Sequence, residues 1–187
     1  MNVPNIISLA RLIAVPAIVW AILAEEMALA FWIFVAAGVS DAIDGFIARH
    51  FNAQSELGSY LDPLADKALL VSVYIACGHE QYLPYWLVIL VVFRDILIVG
   101  GVILLYTLNH NRSGGGRPHM SPLWISKLNT AMQIILAALV LAGAAFDIPP
   151  DRVIQALIWI VGVTTALSGA SYLVKWGRDL AHMEDKR

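Results

Sequence analysis

With 187 residues, 59% of them hydrophobic, and a mean hydropathy of +0.73, the chain is too apolar for an ordinary soluble domain and reads as a polytopic membrane protein. A formal net charge of −2 gives no basis for a nucleic-acid partner, and none is expected. The single cysteine, Cys77, lies in an apolar run, offers neither a disulfide nor a thiolate metal site, and reads as a small core residue.

About twenty mostly apolar residues cross a bilayer as a helix. The first such run is 6–24, preceded by Pro4, a residue suited to the first helical turn. Arg11 interrupts it and has two readings: snorkelling to the interface, or a phosphate contact. The run ends at Glu25 and Glu26 with no small-residue cleavage site, so a cleaved signal peptide is not expected. The second span is 27–49, apolar until Ser40. A polar loop covers 50–57, and the third span is 58–77. A turn at 78–82 leads to the fourth span, 83–106, with Arg94 and Asp95 in its middle. The longest loop, 107–121, holds Gly114, Gly115, Gly116 and Pro118 as breakers. The fifth span is 123–145, the sixth runs from 153 to about 175, and the charged tail is expected to be helical only at its start. The fold class is therefore all-α: a six-span membrane helix bundle forming one domain over 1–187.

Arg49, Arg112, Arg117, Lys127, Lys175, Arg178, Lys186 and Arg187 fall on one side of these spans, and Arg152 with little else on the other. Lysine and arginine collect on the cytoplasmic side, so both termini should lie there. Trp86, Trp124 and Trp176 sit near span ends, as interfacial aromatics do.

The most polar stretch, DAIDGFIARHFNAQSELGSYLDPLADK over 41–67, lies on that same side. Asp41 and Asp44 are three apart, and Asp62 and Asp66 four apart, so each pair occupies one helix face. Two helix ends facing each other would present four carboxylates to one site, and such hard oxygen ligands suit Mg²⁺ or Mn²⁺. Gly45, Ala48 and Gly58 permit close approach, and Arg49 can pair with phosphate. Together these point to phosphoryl-group chemistry on a diphosphate substrate. A purely structural use, with the aspartates paired to Arg49 and Lys67, leaves four acids against two nearby bases. A cation transporter is the alternative from another class, but neither inverted repeats nor broken helices are evident.

Two further groups face the membrane interior. An intramembrane arginine is a functional candidate, so Arg94 reads either as half of an ion pair with Asp95 or as a contact to a second substrate's phosphate. Lys127, Asn129, Thr130 and Gln133 make a polar stripe on the fifth span, read as interhelical hydrogen bonding or, for Lys127 and Asn129, as an acceptor site.

The pattern Asp41-x-x-Asp44-Gly45-x-x-Ala48-Arg49, eight residues, Gly58-x-x-x-Asp62-x-x-x-Asp66 resembles, at every fixed position, the signature of the CDP-alcohol phosphatidyltransferase family. The resemblance implies six membrane helices, a cytoplasm-facing polar cavity, and transfer of a substituted phosphate from a CDP-linked donor to an alcohol with release of CMP. It implies that Asp41, Asp44, Asp62 and Asp66 bind two divalent metals. Asp41, Gly45, Ala48, Arg49, Gly58 and Asp62 would contact CDP, and Asp66 would be the general base. A homodimer in a bacterial inner membrane is also implied. The opening VPNIISLAR resembles both phosphatidylglycerophosphate synthases and cardiolipin synthases; Arg94 with Asp95, Lys127 and Asn129 in Ser-Lys-x-Asn-Thr, and the ALSGASY stretch look most like the CDP-diacylglycerol-dependent cardiolipin synthases. The acceptor implied is phosphatidylglycerol; glycerol 3-phosphate, as in phosphatidylglycerophosphate synthases, is the alternative.

Overall fold

The computed structural model describes residues 3–51, 56–110, 124–148 and 150–184, with side-chain surroundings given over 10–43, 65–101, 124–148 and 150–177. Among them are six helices and no strands: α1 (Val3–Leu23), α2 (Met27–Phe51), α3 (Glu56–His79), α4 (Tyr85–His110), α5 (Trp124–Phe146) and α6 (Asp151–Glu184). Each coincides with one expected span. The exception is the end of α6, which continues to Glu184 rather than fading after 175. From Arg178 to Glu184 the sequence RDLAHME holds no glycine or proline, and a charged sequence of good helix formers is no stop signal.

The helices run alternately up and down, and tight turns join them at one end. Glu25, Gln81 and Asp147 have positive φ (61°, 62° and 59°), the left-handed residue that commonly closes a helix. After α1 the Glu26 amide donates to the Ala21 carbonyl and the Glu25 amide to that of Ile22. After α3 the Tyr82 amide donates to the Cys77 carbonyl and the Gln81 amide to that of Gly78. Both are Schellman closures, which satisfy carbonyls that the helix end would otherwise orphan.

The apolar core occupies this same end. Ile18 and Ile22 of α1, Phe34 of α2, Val73 and Tyr74 of α3, Leu87 and Val91 of α4, Leu136 and Leu141 of α5, and Val161 of α6 are all buried in one cluster with Cys77. The buried polar residues Arg11, Arg94, Asp95, Asn129, Gln133, Thr165 and Ser168 lie toward the opposite end. Helix α1 packs on α2 and α3, α6 packs on α4 and α5, and α2 against α5 joins the two triplets, with smaller contacts from α3 to α4 and α5. The parallel pair α4 and α6 interlocks reciprocally. A Cβ on Gly162 would stand 2.8 Å from the ring of Trp86, and a Cβ on Gly101 only 1.7 Å from that of Trp176. Only glycine admits either indole.

The outer surface is strongly apolar. Ile13, Trp20, Trp32, Ile89, Phe93, Ile96 and Trp159 are each more than 60% exposed, on four different helices. Apolar patches on this scale mark contact with a partner or a bilayer. Two helical segments, Trp124–Phe146 and Asp151–Gly177, are long and apolar enough to cross a membrane. In the other four helices, part of each expected span lies outside the residues whose side chains are described.

Candidate active site

Three helices of the first triplet bring charge to one point. Arg11 projects from the third turn of α1 and is 3% exposed. Its Nη1 donates to Asp66 Oδ1 on α3, and its Nη2 lies 2.8 Å from Asp41 Oδ1 on α2, close enough for an ion pair though misaligned for a hydrogen bond. Nε has no partner. The two carboxylates are about half exposed, so the guanidinium is dry while its counter-ions open outward. Burial removes the snorkelling reading, and the partners in hand are aspartates.

The second triplet supplies another buried cation. Arg94 Nη1 donates to Asp95 Oδ1 (2.6 Å), Nη2 to Ser126 Oγ (2.6 Å) and Ser168 Oγ (2.9 Å), and Nε to Ser168 Oγ (3.3 Å). One side chain thereby ties α4 to α5 and α6. Asp95 Oδ1 also lies 3.9 Å from the Nζ of Lys67, which is adjacent in sequence to Asp66 and partly exposed. This is a long ion pair, and it links the two triplets.

Between them is a cleft of about 150 Å³. Arg11, Asp41, Asp66 and Lys67 line one wall; Arg94, Asp95, Thr130 and Gln133 line the other; Phe34, Leu69 and Ile134 contribute apolar surface. A second cavity of about 330 Å³ lies between α1 and α2, against Ala10, Ala14, Ala36 and Ser40, and shares Arg11 and Ala37 with the cleft. Behind the second wall, at the α5–α6 interface, Asn129 Oδ1 accepts from Thr164 (2.8 Å) and Thr165 (2.9 Å), and Gln133 Nε2 donates to Thr165 Oγ1 (3.3 Å). The Gln133 carbonyl accepts from Tyr74 OH (3.1 Å).

Of the sequence-derived site, Asp41 and Asp66 come together across a single cation, and Arg94 faces them from the far wall. The side chains of Asp44, Gly45, Ala48, Arg49, Gly58 and Asp62 lie outside the described residues, as does the triple-glycine loop. Asn129 is fully buried at the α5–α6 interface, and Lys127 is exposed with its Nζ 6.0 Å from the centre of the Trp124 ring. Neither is among the residues lining the cleft. Lys67 and Asp95 are cleft residues that the sequence reading did not select. The signal for Lys67 was adjacency to Asp66, and for Asp95 its charge inside an apolar run beside Arg94.

Among the described residues no group of three or more His, Cys, Asp or Glu side chains gathers as a metal site. The donor set still suits a hard divalent cation. Two carboxylates from separate helices already converge on one positive group, and each opens to the cleft.

The sequence model described as CDP-alcohol phosphatidyltransferase matches residues 1–167. The chain is 38% identical over 188 residues to the chloroplastic CDP-diacylglycerol–glycerol-3-phosphate 3-phosphatidyltransferase 1 of Oryza sativa subsp. japonica, covering 94% of this chain and 57% of that protein. It is 36% identical over 181 residues to the cardiolipin synthase (CMP-forming) of Rattus norvegicus, and 34% to that of Homo sapiens, each covering 91% of this chain and 60% of the relative. The chain thus spans about three-fifths of the length of these curated relatives.

Proposed function

Because the chain belongs to the CDP-alcohol phosphatidyltransferase family, we propose that it transfers a phosphatidyl group from CDP-diacylglycerol to phosphatidylglycerol, releasing CMP and forming cardiolipin. The observation that carries this reading is the convergence of Asp41 and Asp66 on one cation at the wall of a cleft whose other wall holds Arg94 and Asp95. An acidic wall that already binds a cation suits a metal-bound diphosphate donor, and Lys67 beside it is a partly exposed cation within reach of a phosphate-bearing acceptor.

Mg²⁺ or Mn²⁺, two ions in our reading, would be held by Asp41, Asp44, Asp62 and Asp66 and would neutralise the diphosphate and the departing CMP. Gly45, Ala48, Arg49 and Gly58 are assigned with Asp41 and Asp62 to the CDP moiety. Asp66 takes the proton of the acceptor hydroxyl. That oxygen bonds to the phosphatidyl phosphorus as the bond from phosphorus to the CMP oxygen breaks. Transfer is direct in this reading, with the acceptor oxygen itself displacing CMP.

On the acceptor side, Lys67 and Lys127 are the accessible cations. Arg94 has all three guanidinium nitrogens engaged by protein, and Asn129 its side-chain oxygen; both act by positioning, Arg94 through Asp95 on Lys67 and Asn129 by setting α5 against α6. The chain is a membrane protein. Six spans, a single domain over 1–187, both termini and the cleft on the cytoplasmic side of a bacterial inner membrane, and a homodimer complete the proposal. The placing of Arg11, Asp41, Asp66 and Arg94 toward one end of the bundle supports a one-sided site.

The test is CMP release by purified protein in lipid with CDP-diacylglycerol and Mg²⁺ or Mn²⁺, offered phosphatidylglycerol or glycerol 3-phosphate separately. Turnover with phosphatidylglycerol alone is expected, abolished by chelator and lowered at least about 100-fold in Asp66→Asn. Turnover with glycerol 3-phosphate alone would keep the reaction class and replace the acceptor.

A further inference from the structure

Arg11 and Arg94 are equally buried, but they are satisfied differently. Arg94 donates to two serine hydroxyls as well as a carboxylate, partners that no ligand removes. Among the described residues, Arg11 depends on Asp41 and Asp66 alone, and its Nε has no partner. These carboxylates are also the ones assigned to the divalent cation. Both demands fall on one pair of acids.

A carboxylate shared by a guanidinium and a divalent ion holds each less tightly than it would alone. Arg11 cannot turn to water when the ion arrives, because the guanidinium is dry, and an uncompensated charge there is strongly disfavoured. What can take over is an anion brought into the same cleft, and a guanidinium offers phosphate oxygens the same two-pronged contact it offers carboxylates.

We infer that Arg11 is an internal counter-ion, displaced from Asp41 and Asp66 by the divalent metal and then taken up by the donor's diphosphate, so that metal and nucleotide bind cooperatively. This rests on the phosphatidyl-transfer reading of the cleft. Linkage requires the nucleotide to tighten the metal by the same factor as the metal tightens the nucleotide. Charge at Arg11 is then what sets that factor.

The experiment measures Mn²⁺ binding by the electron paramagnetic resonance signal of the free ion, with and without CDP, for wild type, R11Q and R11K in detergent. With Mn²⁺ alone, R11Q is expected to bind about 10-fold tighter than wild type. CDP is expected to tighten Mn²⁺ about 10-fold or more in wild type and less than about 3-fold in R11Q. R11K, which keeps the charge on a single prong, falls between. Equal Mn²⁺ affinity in wild type and R11Q, with the CDP effect intact in both, overturns the inference and leaves phosphatidyl transfer standing. Wild type that binds no Mn²⁺ in either condition overturns both. If R11Q loses its helical circular dichroism, R11K decides: Mn²⁺ binding no tighter than wild type overturns the inference.

Discussion

At Arg94 all three guanidinium nitrogens donate to the protein, and Asp95 depends on that cation for much of its compensation. Removing one partner of such a pair leaves the other buried and unpaired, at a cost of roughly 3–5 kcal/mol. Arg94→Ala should therefore lower the unfolding midpoint in detergent sharply. Replacing both residues with leucine should lose much less stability, since no charge is stranded. Activity should fall in both: in the double variant Lys67 loses the carboxylate beside it, and in Arg94→Ala that carboxylate loses the guanidinium that fixes its position. The sequence made Arg94 and Asp95 legible as an intramembrane pair, since charge inside an apolar run stands out. Ser126 and Ser168 were not legible as partners, being 32 and 74 residues from Arg94 and ordinary in their own helices. The same limit explains Arg11. Its type and depth could be read from the sequence, but its choice of Asp41 and Asp66 is set by how α1 lies on α2 and α3.

Helix ends and helix contacts make their own predictions. Gln81 is exposed and holds a φ of 62°. The left-handed conformation costs an L-residue roughly 1–2 kcal/mol, and the extra chain freedom of glycine offsets about 0.5–1 kcal/mol of that relief. Gln81→Gly should raise the thermal midpoint, by up to about 1.5 kcal/mol in stability. At Gly101 the opposite holds. Even alanine would drive a methyl group into the indole of Trp176, so Gly101→Ala should destabilise by about 1–3 kcal/mol and loosen α4 from α6. Fluorescence of Trp176, in a background lacking the other tryptophans, would report the displacement. The six helices were legible because a long apolar run bounded by polar turns has few other solutions. The length of α6 was not, because charge signals exit from the membrane and carries no instruction to stop the helix.

For the whole molecule, apolar surface faces outward on all six helices while the described buried charges gather at one end. Such a body should remain in the pellet after an alkaline carbonate wash and be released only by detergent; release by carbonate would contradict a membrane-spanning reading. The arrangement of helices has a further consequence. Asp41 and Asp66 stand on the triplet α1 to α3, Arg94 and Asn129 on the triplet α4 to α6, and one long ion pair from Lys67 to Asp95 links their charged groups. If the first triplet handles the nucleotide and the proton transfer, and the second shapes the rest of the alcohol's site, selection acts on the two halves separately. Descendants of a common ancestor can exchange one alcohol for another through changes in α4 to α6 while every line of descent keeps the same α1 to α3. New lipids would then arise in a lineage without reinventing the chemistry that makes them.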